Sequence, residues 1–235
     1  MIDDDSLLVS PESGASIGQT GFIDLEEDSF QEVCVSTRAT GNYGKDAPFS
    51  DQFCWLMILD AELNFKFPPL KYGKYPSNLW VKPLYHNGIP YMAALYDYIG
   101  TDNDSSSLLL IDKKGKILRK KNLDRNTFFS ARLIGGLHDR PENAYLYVPH
   151  SGELYSFSAD FNLKKEAQAP RIPINSSIES FDIDDNGEKE IIFLAPKDKM
   201  FIFDSQMDHL AVYYYRDHLV SPKMSFLRQG EDNNL

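Results

Sequence analysis

The sequence predicts an all-β protein built from about four similar units, each with four antiparallel strands. Its apolar segments are short and rich in β-branched and aromatic residues, and Gly, Pro, Asn and Asp separate them. Four segments that resemble β-hairpins also recur at steps of 52, 46 and 46 residues, measured between Asp60, Asp112, Ser158 and Asp204. Recurrence at a fixed period of this size indicates a repeat protein.

Each predicted hairpin has an apolar strand that ends in Asp or Ser, a short turn and a second apolar segment. The turn has about three to five residues, a common length in β-hairpins. The first strands of the hairpins lie at 56–60, 108–112, 154–158 and 200–204. Another pair of strands precedes each hairpin, at 21–36, 80–95, 131–148 and 178–195. Each unit therefore contains four strands.

The predicted units span approximately residues 20–70, 78–123, 127–170 and 176–215. Because a flat stack of such units would leave open strand edges, we expect them to close around a common axis. Residues 216–235 begin a further unit or form a tail. Residues 224–235 align with 179–190, which favours a piece of a larger array cut within a unit; a closed set of four units is the alternative.

An acidic loop at residues 182–190 directly precedes the apolar run 191–195. Alternating carboxylate and amide oxygens on a tight loop are suited to Ca²⁺, which takes six to eight oxygen ligands. The predicted ligands are the side chains of Asp182, Asp184, Asn186 and Glu190 and the backbone carbonyl of Glu188. An EF-hand is excluded because its twelfth position would be the strand residue Phe193.

A weaker copy of this loop lies near the N-terminus. Acidic residues occur there at the same offsets, with Ser29 where the later loop has Gly187. The sequence predicts a second, weaker calcium site formed by Asp24, Glu26, Asp28 and Glu32. For both loops, the alternative is a solvated acidic turn that only links two strands.

The pattern Asp-x-Asp-x-Asn-Gly-x-x-Glu at 182–190, followed by Ile-Ile-Phe and by a Phe-Asp hairpin, resembles the FG-GAP/VCBS type of β-propeller repeat. The resemblance covers about residues 20–215 and is closest in the fourth unit. The second unit keeps only Asn87-Gly88, and the third lacks the acidic ladder. The resemblance implies a disc of blades on an extracellular, cell-surface or periplasmic protein, often with structural calcium and one face presented to partners.

Charge and composition exclude several classes of partner. With 24 basic and 35 acidic residues the net charge is −11, which disfavours nucleic acids and anionic membranes. No apolar run reaches the roughly 18 residues of a membrane span, so we expect no membrane insertion by these residues. Cys34 and Cys54 are predicted on neighbouring strands; buried free thiols are favoured, and a disulfide is the alternative.

Motifs typical of enzymes are sparse. The sequence contains no Gly-x-Ser-x-Gly, P-loop, dinucleotide-binding or His-Glu-x-x-His pattern. Carboxylates such as Asp97, Asp102 and Asp139 form no specific pair by spacing. The sequence therefore favours a non-enzymatic recognition or scaffold module. The alternative is a carbohydrate-binding or carbohydrate-active domain, whose sign would be two carboxylates about 5 to 10 Å apart beside an aromatic ring.

Three long loops, at 41–50, 68–78 and 97–107, are predicted to share one face. Tyrosines on these loops alternate with lysines, and a tryptophan follows at the next strand. Such rings give contact area at low entropic cost, which favours a recognition surface for a protein or carbohydrate. The predicted surface residues are Tyr43, Tyr72, Tyr75, Trp80 and Tyr98. The alternative is that these rings pack over the sheet edges and shield the core.

Overall fold

The computed structural model describes residues 14–214, except 29, 43–48, 103, 138–140, 170, 172–176, 196–198, 205 and 207. Unit 1 contains β1 (Ser16–Ile23), β2 (Glu32–Ala39), β3 (Cys54–Leu59) and β4 (Leu70–Tyr72). Unit 2 contains β5 (Ser77–His86), β6 (Ile89–Tyr98), β7 (Ser107–Ile111) and β8 (Ile117–Asn122). A one-turn helix α1 (Arg125–Phe128) precedes unit 3, which contains β9 (Arg132–Ile134), β10 (Ala144–Val148), β11 (Glu153–Phe157) and β12 (Lys164–Gln168). Unit 4 contains β13 (Ser177–Phe181), β14 (Glu190–Ala195), β15 (Lys199–Phe203) and β16 (His209–Tyr214).

Within each unit the strands pair antiparallel in chain order, and the predicted all-β class is confirmed. Units 3 and 4 are separate four-stranded sheets. Units 1 and 2 join into one eight-stranded sheet, because Arg38 and Ala39 at the end of β2 pair with Asn78 and Ser77 of β5. The predicted further unit in residues 216–235 lies outside the described residues.

The core consists of three hydrophobic clusters, each between two successive units. Strand β6 shows how one sheet serves two clusters. Met92 and Ala94 pack toward unit 1, whereas Ala93 and Leu95 pack toward unit 3, because successive side chains of a strand point to opposite faces. Burial on both faces also explains the continuous apolar run of β7. In the described part of the chain, none of these clusters joins unit 4 to unit 1.

The first strands of the four units lie side by side. Strand β1 contacts β5, β5 contacts β9, and β9 contacts β13. The segment after β9 also contacts its neighbours: the Tyr85 amide of β5 donates to the Pro141 carbonyl at 2.7 Å, and the Lys189 amide donates to the Leu137 carbonyl at 2.9 Å. The first strands and the segments that contact them therefore form one common region.

The hairpin between the third and fourth strands has the same polar turn in three units. One carboxylate oxygen each of Asp60, Asp112 and Asp204 accepts two backbone amides, from the residues two and four positions later. These side chains stabilise the turn as the sequence predicts for Asp at this position. In unit 3, Ser158 takes the place of the Asp and donates its hydroxyl to Asp160 at 2.7 Å.

Both cysteines are buried and free, which confirms the favoured interpretation. Burial raises the pKa of the Cys34 thiol to about 12 and that of Cys54 to about 11. Such thiols hold little thiolate near neutral pH and act as small apolar side chains. Among the described residues, no helix is both long and apolar enough to cross a membrane.

Candidate functional site

The acidic loop between β13 and β14 brings three carboxylates together. One oxygen each from Asp182, Asp184 and Glu190 lie within 4.8 Å of one another, and no other such group of His, Cys, Asp or Glu occurs among the described residues. Calcium binds oxygens at about 2.3 to 2.6 Å, so two oxygens on one ion are separated by at most about 5 Å. The three carboxylates are therefore close enough together to hold one metal ion.

Backbone amides hold this loop in place. The amides of Asn186 and Gly187 both donate to Asp182 at 3.0 Å, and the Ile183 amide donates to Glu190 at 2.8 Å. Asp185 has a φ of 62°, which allows the chain to reverse tightly. Each carboxylate oxygen can accept a second partner, so these bonds orient the side chains without exhausting their capacity.

The other two predicted ligands have different surroundings. The side-chain oxygen of Asn186 accepts the Glu188 amide at 2.7 Å, so it braces the loop. Glu188 was expected to contribute only its backbone carbonyl, and its side chain is exposed. Both remain predicted ligands, while Asp182, Asp184 and Glu190 form the group that the fold assembles.

The N-terminal acidic loop repeats this backbone arrangement 158 residues earlier. The Leu25 amide donates to Glu32 at 2.9 Å, and the Phe30 amide donates to Asp28 at 3.0 Å. Glu27 has a φ of 58°, matching the positive φ in the later loop. Glu32, like Glu190, is only 5% exposed. The sequence similarity between the two loops thus corresponds to a shared structure.

The two loops differ in what lies against their carboxylates. In the N-terminal loop, the Lys66 ammonium lies 3.4 Å from Glu26 and 3.3 Å from Glu32, and Lys113 lies 3.3 Å from Glu26. The hydrogen bond from Lys113, followed by the charge of Lys66, lowers the pKa of Glu26. A calcium ion at Asp24, Glu26, Asp28 and Glu32 stays a prediction, and it would have to compete with a lysine.

A cavity of about 520 Å³ lies where the first strands of units 1, 2 and 4 meet. Its walls come from 19–23 of β1, 81–83 of β5, 135–136 after β9 and 179–181 of β13. Lys82 and Glu179 form an ion pair at 2.6 Å across it. Residues from β1, β5 and β13 thus meet around one space, and an added Cβ at Gly21 would contact nothing within 4 Å.

The lining of this cavity mixes polar and aromatic groups. Gln19, Thr20 and Ser180 contribute polar side chains, and Phe22 and Phe181 contribute rings. Among the lining residues Glu179 is the one carboxylate, and Lys82 neutralises it. The described part of the cavity therefore offers hydrogen-bond donors, acceptors and apolar surface, but no pair of carboxylates for acid-base hydrolysis of a glycoside.

The predicted aromatic surface is divided in the structure. The ring of Tyr72 packs edge-on against Tyr96 at 5.1 Å, and Tyr98, 4% exposed, stacks on Tyr96 at 6.3 Å. Trp80 packs against the cluster between units 2 and 3, while Tyr75 is 51% exposed. Tyr43 lies outside the described residues. The alternative interpretation, in which the rings pack and shield the core, therefore applies to Tyr72, Trp80 and Tyr98. Partner binding by the five predicted residues stays a prediction.

A buried ion pair lies between units 2 and 3, and the spacing of its two residues in the sequence did not predict it. Asp97 on β6 is 1% exposed, and one carboxylate oxygen lies 3.7 Å from the Arg132 guanidinium of β9. Arg132 also stacks over the Trp80 ring at 5.2 Å. The other Asp97 oxygen and the Trp80 indole nitrogen are buried and have no hydrogen-bond partner among the described residues. Burial raises the pKa of Asp97 to about 6, although Arg132 opposes the rise.

Comparison with known proteins places the chain in no family. No family model matches it, and no curated protein matches it. Among solved structures it is similar to rhamnogalacturonan lyase YesW, with a TM-score of 0.49, 14% identity, and coverage of 84% of this chain and 42% of the lyase. It is also similar to BBS1N from a complex with ARL6DN, with a TM-score of 0.36, 7% identity, and coverage of 88% and 84%. The chain spans less than half of the lyase chain. At these identities and TM-scores neither likeness assigns an activity.

Proposed function

We propose that the four units are blades of a β-propeller, or of part of one, and that the chain is a non-enzymatic recognition module of a surface, secreted or sensor protein. The strand order within each unit and the contacts of β1 with β5, β5 with β9, and β9 with β13 support this arrangement. Radial packing of four-stranded sheets is a known way to protect strand edges. The FG-GAP/VCBS resemblance and an extracellular location belong to the same proposal.

The cavity that contains Lys82 and Glu179 is the proposed ligand site, and its lining is the observation that carries the proposal. The Lys82–Glu179 ion pair gives the cavity both a charged donor and a charged acceptor. Phe22, 66% exposed, offers an apolar face beside them. Hydrogen-bonding groups beside an apolar ring suit a polyhydroxylated ligand, so carbohydrate is the favoured ligand class. With Glu179 as the one lining carboxylate, binding is favoured over hydrolysis.

Calcium is the proposed structural ligand of the loop at 182–190. Asp182, Asp184 and Glu190 would hold it, and the ion would supply the positive charge that three clustered carboxylates require. Its role would be to fix the turn between β13 and β14. No step of a reaction is assigned to it.

The recognition function is tested by titrating the protein with a panel of neutral oligosaccharides under NMR observation. Wild type should bind at least one of them, and Glu179→Gln should weaken that binding by tenfold or more, because it replaces the charged acceptor. Glu153→Gln is the matched control, since Glu153 forms a 2.6 Å ion pair with Lys165 outside the cavity. Absence of binding across the panel, or equal affinity in the two variants, would contradict the proposal.

A further inference from the structure

The N-terminal loop and the loop of unit 4 can be compared position by position, because two of their hydrogen bonds and one residue with positive φ match at an offset of 158 residues. Under this offset Glu26 corresponds to Asp184, and Glu32 corresponds to Glu190. Both members of the second pair are buried and accept a backbone amide from the loop. The two loops therefore differ mainly in the groups that contact these carboxylates.

The neighbouring hairpins of units 1 and 4 also match, at an offset of 144. The Asp60 amide donates to the Asn64 carbonyl at 3.0 Å, and the Asp204 amide donates to the Asp208 carbonyl at 3.0 Å. The next pairs, Leu59 with Phe65 and Phe203 with His209, match as well. The residue that follows each pair is Lys66 in unit 1 and Leu210 in unit 4.

We propose that Lys66 is a built-in cation that fills, in unit 1, the place that the proposed calcium ion would take in unit 4; the comparison with unit 4 rests on that proposed function. Its ammonium bridges Glu26 and Glu32, the counterparts of Asp184 and Glu190. Leu210 carries no charge at the equivalent position and is 56% exposed. Among the ion pairs of the described residues, none joins a lysine or arginine to Asp182, Asp184 or Glu190. One repeated loop would thus use two different sources of positive charge.

Burial makes the charge of Lys66 important for the first loop. Glu32 lies in a buried position, and an ionised carboxylate without a cation is costly there. Lys113 contacts only Glu26, whose side chain is 37% exposed, so water screens that pair. Lys66, and not Lys113, should therefore hold the loop, and the loop should fold without a divalent ion.

The inference is tested by thermal unfolding of Lys66→Met and Lys66→Arg, with Lys113→Met as control, in chelator and in millimolar calcium. Met keeps the aliphatic stem and removes the charge, whereas Arg keeps the charge. In chelator we expect Lys66→Met to lower Tm by about 3 to 6 °C, and Lys66→Arg and Lys113→Met to melt near wild type. Calcium should stabilise Lys66→Met more than wild type. Three outcomes would each overturn the inference. They are an equal loss of Tm in Lys66→Met and Lys66→Arg, an unchanged Tm in Lys66→Met, and an equal effect of calcium on Lys66→Met and wild type.

A reciprocal variant separates this inference from the proposed calcium loop. Leu210→Lys should supply an ammonium to Asp184 and Glu190 and reduce the rise in Tm that calcium gives the wild type. If the Tm of wild type does not respond to calcium, the calcium loop of unit 4 is refuted. The comparison of Lys66→Met with Lys66→Arg in chelator would still test whether the charge of Lys66 stabilises the first loop. A calcium response that Leu210→Lys leaves unchanged would show that the two positions are not equivalent and would overturn the inference.

Discussion

Replacing Asp97 by Asn should remove a pH-dependent cost from the folded state. Asp97 is buried against Arg132, and burial raises its pKa from 3.8 to about 6. A folded-state pKa above the unfolded value means that the folded state binds more protons between these two pH values. Wild type should therefore lose stability as the pH rises from about 4 to about 6. Asn has no proton to lose and should escape this loss.

The magnitude follows from the two pKa values. One pKa unit corresponds to about 1.4 kcal/mol, so the change from 3.8 to about 6 amounts to about 3 kcal/mol when both limits are reached. Part of this lies below pH 4, so about 2 to 3 kcal/mol should appear between pH 4 and 7. Removing the carboxylate also deprives Arg132 of its ion-pair partner. Asp97 carries its charge only above its pKa, and the attraction of Arg132, which stays charged throughout, is already contained in the value of about 6.

The assay is urea unfolding of wild type and Asp97→Asn at pH 4, 5, 6 and 7, followed by circular dichroism. Carboxylates elsewhere titrate alike in both proteins and cancel in the difference. The free energy of unfolding of wild type, relative to the variant, should fall by about 2 to 3 kcal/mol across the series. Two parallel stability curves would refute the reasoning, since they would mean that Asp97 titrates in the folded protein as it does in the unfolded chain.

Calcium at 100 times its Kd should raise the Tm of wild type by about 5 to 10 °C, and that of Asp182→Ala or Asp184→Ala by less. Differential scanning calorimetry measures this, and an unchanged Tm of wild type would mean that the loop binds no ion. Phe193→Ala should cost about 3 to 5 kcal/mol in urea unfolding, because the ring is buried between two other rings, and a loss below 1 kcal/mol would contradict that packing. Gly73→Ala should lower Tm, because φ is 68° and the new Cβ would lie 2.0 Å from a tyrosine ring; Gly21→Ala, in open space, is the control and should melt like wild type.

The strands and hairpin turns could be predicted because their signals are local. Asp60, Asp112 and Asp204 lie at turns that the sequence marks by an Asp after an apolar strand, and the structure gives all three the same hydrogen bonds. The apolar run of β7 also signals a strand by itself. The similarity of the two acidic loops is likewise local, and their backbones match.

Features that depend on distant parts of the chain were not predictable in the same way. Strand β1 begins at Ser16, earlier than the predicted start at residue 21, and its residues 19–23 line a cavity. The burial of Asp97 depends on Arg132, which another unit supplies. Lys66 reaches the N-terminal loop through a hairpin that follows two strands later. No periodic pattern in the sequence predicts these contacts between distant residues.

The proposed calcium loop and the proposed ligand cavity share a boundary, so the ion should influence binding as well as stability. Phe181 and Lys189 line the cavity, and they directly precede Asp182 and Glu190, which would hold the ion. Phe181 also pairs with Glu190 at the base of the loop. We therefore expect affinity for the neutral oligosaccharide to fall in chelator and in Asp184→Ala, at a temperature where both remain folded. Lys113→Met, at the other acidic loop, is the control and should show the same affinity and the same loss in chelator as wild type. Binding that is indifferent to calcium, in a protein whose Tm rises with calcium, would show that the cavity wall is already fixed by the backbone amides around Asp182.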